Sequence, residues 1–171
     1  APLSARVIVN RVWQHHFGAG LVRTVDNFGT TGESPSHPEL LDHLAVQFVR
    51  QGWSVKKLIR TIALSRTYRL SSARGEQRGD PENRLLAHMN RRRLDAESLR
   101  DTLLSAGGTL TFEMGGATFP ASLAKDLDFQ FQESRRSVYV PGFRNSVPEL
   151  FKVFDIANPS MVTGRRNVST V

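Results

Sequence analysis

His37, Glu39 and His43 form the tightest grouping of metal-ligating side chains in this sequence. Glu39 and His43 are four residues apart, so on a helix they share a face, as two ligands of a zinc or iron ion must. Such a site needs at least one more fixed ligand, for which His37 is the candidate. Glu39 has a competing use, because Ser36-His37-Pro38-Glu39 is written as a capping box. There the serine oxygen accepts from the Glu39 amide and the Glu39 carboxylate reaches back to the serine amide. His15 and His16 are neighbours and point about 100° apart on a helix, which prevents joint chelation and suits a position at a helix C-terminus. Among paired carboxylates, Asp95 with Glu97 and Asp126 with Asp128 have a spacing that shares a face only in a strand. Asp95 reads as a helix cap, which leaves Asp126 and Asp128 as the weak candidates for acid/base or cation chemistry.

Nucleophilic chemistry has little to work with. The serines lie in neither Gly-x-Ser-x-Gly nor Ser-x-x-Lys context, and cysteine is absent. That absence excludes disulfides, thiolate metal sites, iron–sulfur clusters and haem attached through Cys-x-x-Cys-His, so no cofactor is expected in this chain. Gly107-Gly108 and Gly115-Gly116 have neither P-loop nor Rossmann spacing and read as stops and turns.

Charge is more informative. Lys and Arg number 23 against 16 Asp and Glu, a net charge of +7, which favours an acidic partner. The excess is local: no acid lies between Asp42 and Glu76, where Arg50, Lys56, Lys57, Arg60, Arg66, Arg69 and Arg74 are found. Lys56, Lys57, Arg60, Arg66 and Arg69 are therefore the candidate binding residues, with Tyr68 as a stacking surface. The competing reading is a solvated helix face. Arg91-Arg92-Arg93 and Arg135-Arg136 suit either carboxylates of this chain or an external phosphate or sulfate; internal pairing is favoured.

The elements that must position these residues are helical. Leu3, Val7, Ile8, Val12, Trp13 and Phe17 recur at helical spacing, with Ser4 as a cap and Gly18 and Gly20 as a stop. After an ordered, glycine-rich loop, Leu40, Leu41, Leu44, Ala45, Phe48 and Val49 form an apolar stripe ended by Gly52. A third helix follows Trp53-Ser54, with Val55, Leu58, Ile59, Ile62 and Ala63 inward, and it packs on the second as a hairpin or corner. Asp80-Pro81 is expected to restart helix, and Asp95 to open another with Leu94 and Leu99 as a staple, Leu99, Leu103 and Ala106 inward, and Gly107-Gly108 as its stop. Residues 109–135 are expected to be a long loop region. Ser137-Val138-Tyr139-Val140 is the strand candidate, and Ser146-Val147-Pro148-Glu149 repeats the capping-box design ahead of a short helix. The tail from Asn158 is expected to be extended.

The fold class is thus mainly α, a multi-helix bundle with an irregular, loop-rich C-terminal third and at most a short strand pair. A chain of 171 residues suits one domain that buries roughly 70% of its unfolded surface. No apolar run reaches the roughly 20 residues of a membrane helix. The opening Ala1-Pro2-Leu3-Ser4 carries no targeting pattern, and a fragment of a larger protein is expected.

Several signatures occur in a recognisable order: Asn10-Arg11 with Trp13 and Phe17-Gly18, Phe28-Gly29, Ser36-His37-Pro38-Glu39-Leu40-Leu41, Gly52-Trp53-Ser54 with Lys57, Ser65-Arg66-Thr67-Tyr68, Arg92-Arg93-Leu94-Asp95-Ala96-Glu97 with Arg100-Asp101, Arg135-Arg136-Ser137-Val138-Tyr139 and Phe154-Asp155. In this the chain resembles, over almost its whole length, the planctomycete domain of unknown function 1553. The resemblance implies the C-terminal part of a large exported protein, an extracytoplasmic setting, and neighbouring domains of the same polypeptide that include a c-type cytochrome domain in many members. It carries over no catalytic residue. The chain departs from the family pattern in lacking a haem motif and in stopping at Ser169-Thr170-Val171.

Three functional readings follow. The leading one is a non-catalytic structural or interaction module of a larger extracytoplasmic multidomain protein. The second is a binder of anionic polymer, nucleic acid or acidic polysaccharide, through the basic helix face. The third, least supported, is a polysaccharide-acting or metal-dependent enzyme domain.

Overall fold

The computed structural model describes residues 2–73, 79–123 and 129–161. Five α-helices carry the fold: α1 (Leu3–Phe17), α2 (Pro38–Arg50), α3 (Val55–Ala63), α4 (Ala96–Ala106) and α5 (Glu149–Val153). No strand occurs among the described residues, where the one extended pairing is an isolated parallel bridge between Thr111 and Arg135. The chain divides into two compact units, residues 1–92 and 93–171, with the boundary inside the Arg91-Arg92-Arg93 run.

In the first unit, α1 packs along α2, and α3 touches both. The inward row of α1 is Ala5, Val9, Trp13 and Phe17, every fourth residue, and all four are buried. This differs from the expected stripe. Leu3 is exposed and Val7, Ile8 and Val12 are only half-buried, with Ile8 and Val12 packed against the edge of the core. Opposite lie Leu41, Leu44, Ala45 and Phe48 of α2 with Leu58 and Ile62 of α3. Trp13 stacks on Phe17 at 4.1 Å between ring centroids, and Tyr68 meets Phe17 edge-on at 5.7 Å.

Asn10 sits in this core, 1% exposed. Its Nδ2 donates to the Val22 carbonyl at 2.9 Å and its Oδ1 accepts from the Val22 amide at 2.8 Å. A side-chain amide thus stands in for a strand neighbour and ties the chain beyond α1 back onto the helix. Gly20 passes so close to this pair that a Cβ there would lie 2.4 Å from the Val22 oxygen and 2.8 Å from Asn10 Nδ2.

Gly52-Trp53-Ser54 is a stop, a clamp and a start. Trp53 N donates to the Phe48 carbonyl at 2.9 Å and Gly52 N to that of Val49 at 3.0 Å, the Schellman pattern, with Gly52 at φ +71°. Its accompanying apolar contact is Trp53 against Phe48, 5.3 Å between rings. Ser54 then caps α3 by accepting from the Lys57 amide. α4 ends in the same way, with Thr109 N bonded to the Leu104 carbonyl and Gly108 N to that of Ser105.

Both capping boxes are corrected by the structure. α2 begins at Pro38, with His37 as an N-cap that makes no side-chain bond to the helix; Ser36 Oγ lies 3.0 Å from His37 Nδ1 instead. Proline at the first helical position has no amide to satisfy, which removes part of the demand for a cap. Ser146 Oγ donates to the Phe129 carbonyl at 2.7 Å, and α5 starts without a side-chain cap. Ser4 does not cap α1 either: Leu3 already opens that helix, after Pro2. Asp80-Pro81 opens no helix. The Asp80 carboxylate accepts from the Arg84 and Leu85 amides, both at 2.8 Å, and organises a turn. Buried Asn83 ties the same loop through the His88 carbonyl and Asn90 Oδ1.

In the second unit, Asp95 caps α4 by accepting from Ser98 N at 2.8 Å, as the sequence predicts. The expected inward face is corrected: Leu103 and Ala106 are exposed, whereas Ala96 is buried and Leu99 and Leu104 are half-buried. The strand candidate at 137–140 is a 3₁₀ turn, Ser137–Tyr139, with Val140 N returning to the Ser137 carbonyl. A strand needs a partner along its edge; here the neighbouring chain offers arginine and aspartate side chains instead.

Candidate functional site

The sequence-predicted cations fall on one stretch of the first unit. Lys56, Lys57 and Arg60 are exposed on α3, and Arg66 and Arg69 are exposed in the turns that follow, built by bonds from Ser65 N to the Ile62 carbonyl and from Arg69 N to that of Arg66. Arg50, the last residue of α2, is exposed as well. Arg74 lies outside the described residues. Helical pitch places Lys56 and Arg60 about 6 Å apart along one row of α3.

Ion pairing separates these residues from four other arginines of the unit, whereas Arg50, Arg91 and Arg92 share their lack of a carboxylate partner among the described residues. Arg6 pairs with Asp42 at 2.9 Å, Arg11 with Asp26 at 3.8 Å, Arg23 with Glu82 at 2.6 Å and Arg84 with Glu33 at 3.6 Å. Lys56, Lys57, Arg60, Arg66 and Arg69 have no carboxylate partner among the described residues. The acid-free stretch from 43 to 75 is the cause: the turns around α3 bring no carboxylate alongside it.

The same face carries apolar surface that periodicity assigned to the core. α3 buries Leu58 and Ile62 only, while Val55 and Ile59 are exposed, with Trp53, Leu64 and Leu70 also exposed around it. Nine residues make only two and a half turns, and contact with α1 and α2 consumes one narrow row. Tyr68 is corrected as a stacking surface. It is half-buried, with its ring against Phe17 and His16, and serves the core.

His37, Glu39 and His43 do not assemble. Among the described residues no three His, Asp or Glu side chains gather as a metal would require, Glu39 and His43 are exposed, and His37 turns to Ser36. His16 Nδ1 lies 2.7 Å from the Val12 carbonyl, within its own helix. Asp126 and Asp128, and the tail with Arg165-Arg166, lie outside the described residues.

Three arginines of the signature motifs, Arg92, Arg100 and Arg135, are used internally. Arg92 donates to the His15 carbonyl. Arg100 donates to the carbonyls of Glu133 at 2.6 Å and Arg135 at 2.9 Å, and lies over the Phe131 ring. Burial pulls its guanidinium below the ordinary value, and the Asp101 charge opposes that. Arg135 pairs with Glu133, which raises its pKa, and donates to the carbonyls of Gly115 and Ala117, both at 2.9 Å. It also lies over the ring of Tyr139, whose hydroxyl accepts from Gly115 N. A loop without helix or strand is therefore held by guanidinium-to-carbonyl bonds that satisfy its otherwise orphaned acceptors. The sequence supplied the arginines but not their acceptors.

No helix among the described residues is long and apolar enough to cross a membrane. The model of a family described as "Protein of unknown function (DUF1553)" matches residues 1–171. No curated protein and no solved structure matches the chain.

Proposed function

We propose that this chain, which belongs to the DUF1553 family of proteins of unknown function, is a non-catalytic interaction module of a larger extracytoplasmic multidomain protein, and that its α3 face engages an anionic polymer. The extracytoplasmic, multidomain setting rests on the family resemblance. The binding role rests on one observation: five exposed cations cluster around α3 without acidic partners, while four arginines elsewhere in the same unit are paired. A solvated face placed only for solubility has no need to exclude acids over more than thirty residues. Unneutralised cations on a rigid helix are what a polyanion exchanges for its condensed counterions.

Heparin and duplex DNA test the reading, with affinity measured against salt for the wild type and for a Lys56→Gln, Lys57→Gln, Arg60→Gln variant. Each cation lost from the contact is expected to flatten the log K against log salt slope by about 0.9 on DNA, so the triple variant loses roughly 2–3 units of slope. Its melting temperature is expected to stay at the wild-type value, since all three side chains are exposed and unpaired among the described residues. Wild-type protein that binds neither polymer at low salt, or a variant with an unchanged slope, overturns the proposal.

A further inference from the structure

Two signature motifs take no part in the cationic face, and they meet in the second unit. Asp101 of α4 accepts from Ser137 twice through Oδ1, from the amide at 2.7 Å and the hydroxyl at 2.6 Å. Arg100, one residue earlier, holds the same segment through the Glu133 and Arg135 carbonyls and through Ser137 Oγ at 3.2 Å. The Arg100 guanidinium approaches Asp101 only to 3.7 Å, again at Oδ1. Oδ2 is left as the unused acceptor of Asp101 among the described residues.

This junction borders a cavity of about 640 Å³, within the range of roughly 300–1,000 Å³ typical of small-molecule sites. Its polar lining includes Asp95, Glu97, Asp101 and Ser137, and the rest is largely apolar, with Phe143 and Phe151 among the walls. In a chain of net charge +7, no lysine or arginine among the described residues lines it. An anion there would face the open Oδ2 of Asp101. A neutral apolar guest would strip water from that oxygen and return no hydrogen bond. A cation on an apolar body satisfies both surfaces, with a charge-assisted bond at one end and buried area at the other.

We propose that this cavity is a binding site for an organic cation, an ammonium or guanidinium group carried on an apolar or aromatic body, with Asp101 as its anchoring carboxylate. The shared chemistry has two sources, a free arylalkylamine or a basic side chain flanked by an aromatic one in a peptide. The site is independent of the α3 face, so either proposal can fail alone.

The test is titration of the full chain, followed by the amide NMR shifts of residues 137–143. The probes are tryptamine, its neutral N-acetyl derivative, indole-3-acetate, and a blocked Phe-Arg dipeptide. Saturable shifts are expected with tryptamine, at least about tenfold tighter than with N-acetyltryptamine, the ratio that one favourable charge contact of ordinary strength gives. Indole-3-acetate is expected not to bind. A tighter dipeptide assigns the site to peptides, and a tighter tryptamine to free amines. Asp101→Asn is expected to erase the preference for the charged probe. Because Asp101 also holds Ser137, Val138→Trp is the second variant: Val138 lines the cavity and is 76% exposed, so a larger ring is tolerated and alters the wall that a guest would contact. Equal affinity for the three indoles, the absence of saturation, or binding undiminished in Val138→Trp overturns the proposal.

Discussion

Replacing Asn10 by aspartate changes one atom type and turns the α1 anchor into a pH-dependent one. In the wild type the carboxamide both accepts from and donates to Val22, at 2.8 and 2.9 Å, in a site where Asn10 is 1% and Val22 2% exposed. A protonated carboxyl can reproduce both bonds, its hydroxyl donating to the Val22 carbonyl and its carbonyl oxygen accepting from the amide. An ionised one has no donor, so a buried negative charge would face the Val22 oxygen. The folded state therefore holds the proton more tightly than the unfolded chain, whose aspartate titrates near about 3.9. With the folded pKa raised, the variant keeps nearly wild-type stability below the unfolded value of about 3.9 and loses it as pH rises from there. The loss grows by about 1.4 kcal/mol per pH unit until the folded pKa is reached. Upward shifts of up to about 3–5 units for fully buried carboxyls cap the loss at roughly 4–7 kcal/mol, comparable with the whole stability of a small unit. Urea unfolding followed by tryptophan fluorescence between pH 4 and pH 8, read as variant minus wild type, measures it directly. Asn10→Ala is the control. It leaves two buried backbone groups of Val22 unsatisfied at a cost of about 2–4 kcal/mol that does not vary with pH. An Asn10→Asp difference that is flat with pH, or absent at pH 7, refutes the two-bond account of this residue.

Gly20→Ala probes the same junction sterically. A methyl 2.4 Å from the Val22 oxygen must displace backbone, and a loss of about 1–3 kcal/mol is expected in the same unfolding assay; an unchanged midpoint would refute the close approach. Asp80 lies below its ordinary value of 3.8, chiefly because it accepts from the Leu85 amide and next from that of Arg84. Its contribution is full above that ordinary value and is lost as pH falls through the lowered one, so amide-exchange protection at Arg84 and Leu85 should decline in acid. Asp80→Ala should remove both the protection and its acid dependence, and protection that survives the substitution would contradict the turn assignment.

The helices and their ends were the readable part of this chain. Apolar spacing and the Gly52-Trp53-Ser54 stop located α2 and α3, and Asp95 with Gly107-Gly108 bracketed α4, because these signals act within a few residues of the groups they satisfy. Capping boxes misled at Ser36 and Ser146, where a more distant or differently placed partner claimed the serine. Large apolar residues misled on α1 and α3: Ala5 is fully buried while Leu3, Val55 and Ile59 are exposed, since rotation is chosen by the neighbouring helix and not by side-chain size alone. The cations of the α3 face could be counted in the sequence, but their lack of partners could not, because pairing depends on where acids from other segments arrive.

What the sequence determined, then, is local: a helical chain, its starts and stops, and a run of basic residues without acids. What the tertiary structure decided is which polar groups found each other over a distance. Asn10 serves Val22 twelve positions away, Arg135 holds Gly115 and Ala117, and Asp101 turns a would-be strand at Ser137 into a 3₁₀ turn beside a cavity. Hydrogen bonds of that kind are set by the path of the whole backbone, and a pattern that repeats every two or four residues carries no record of it.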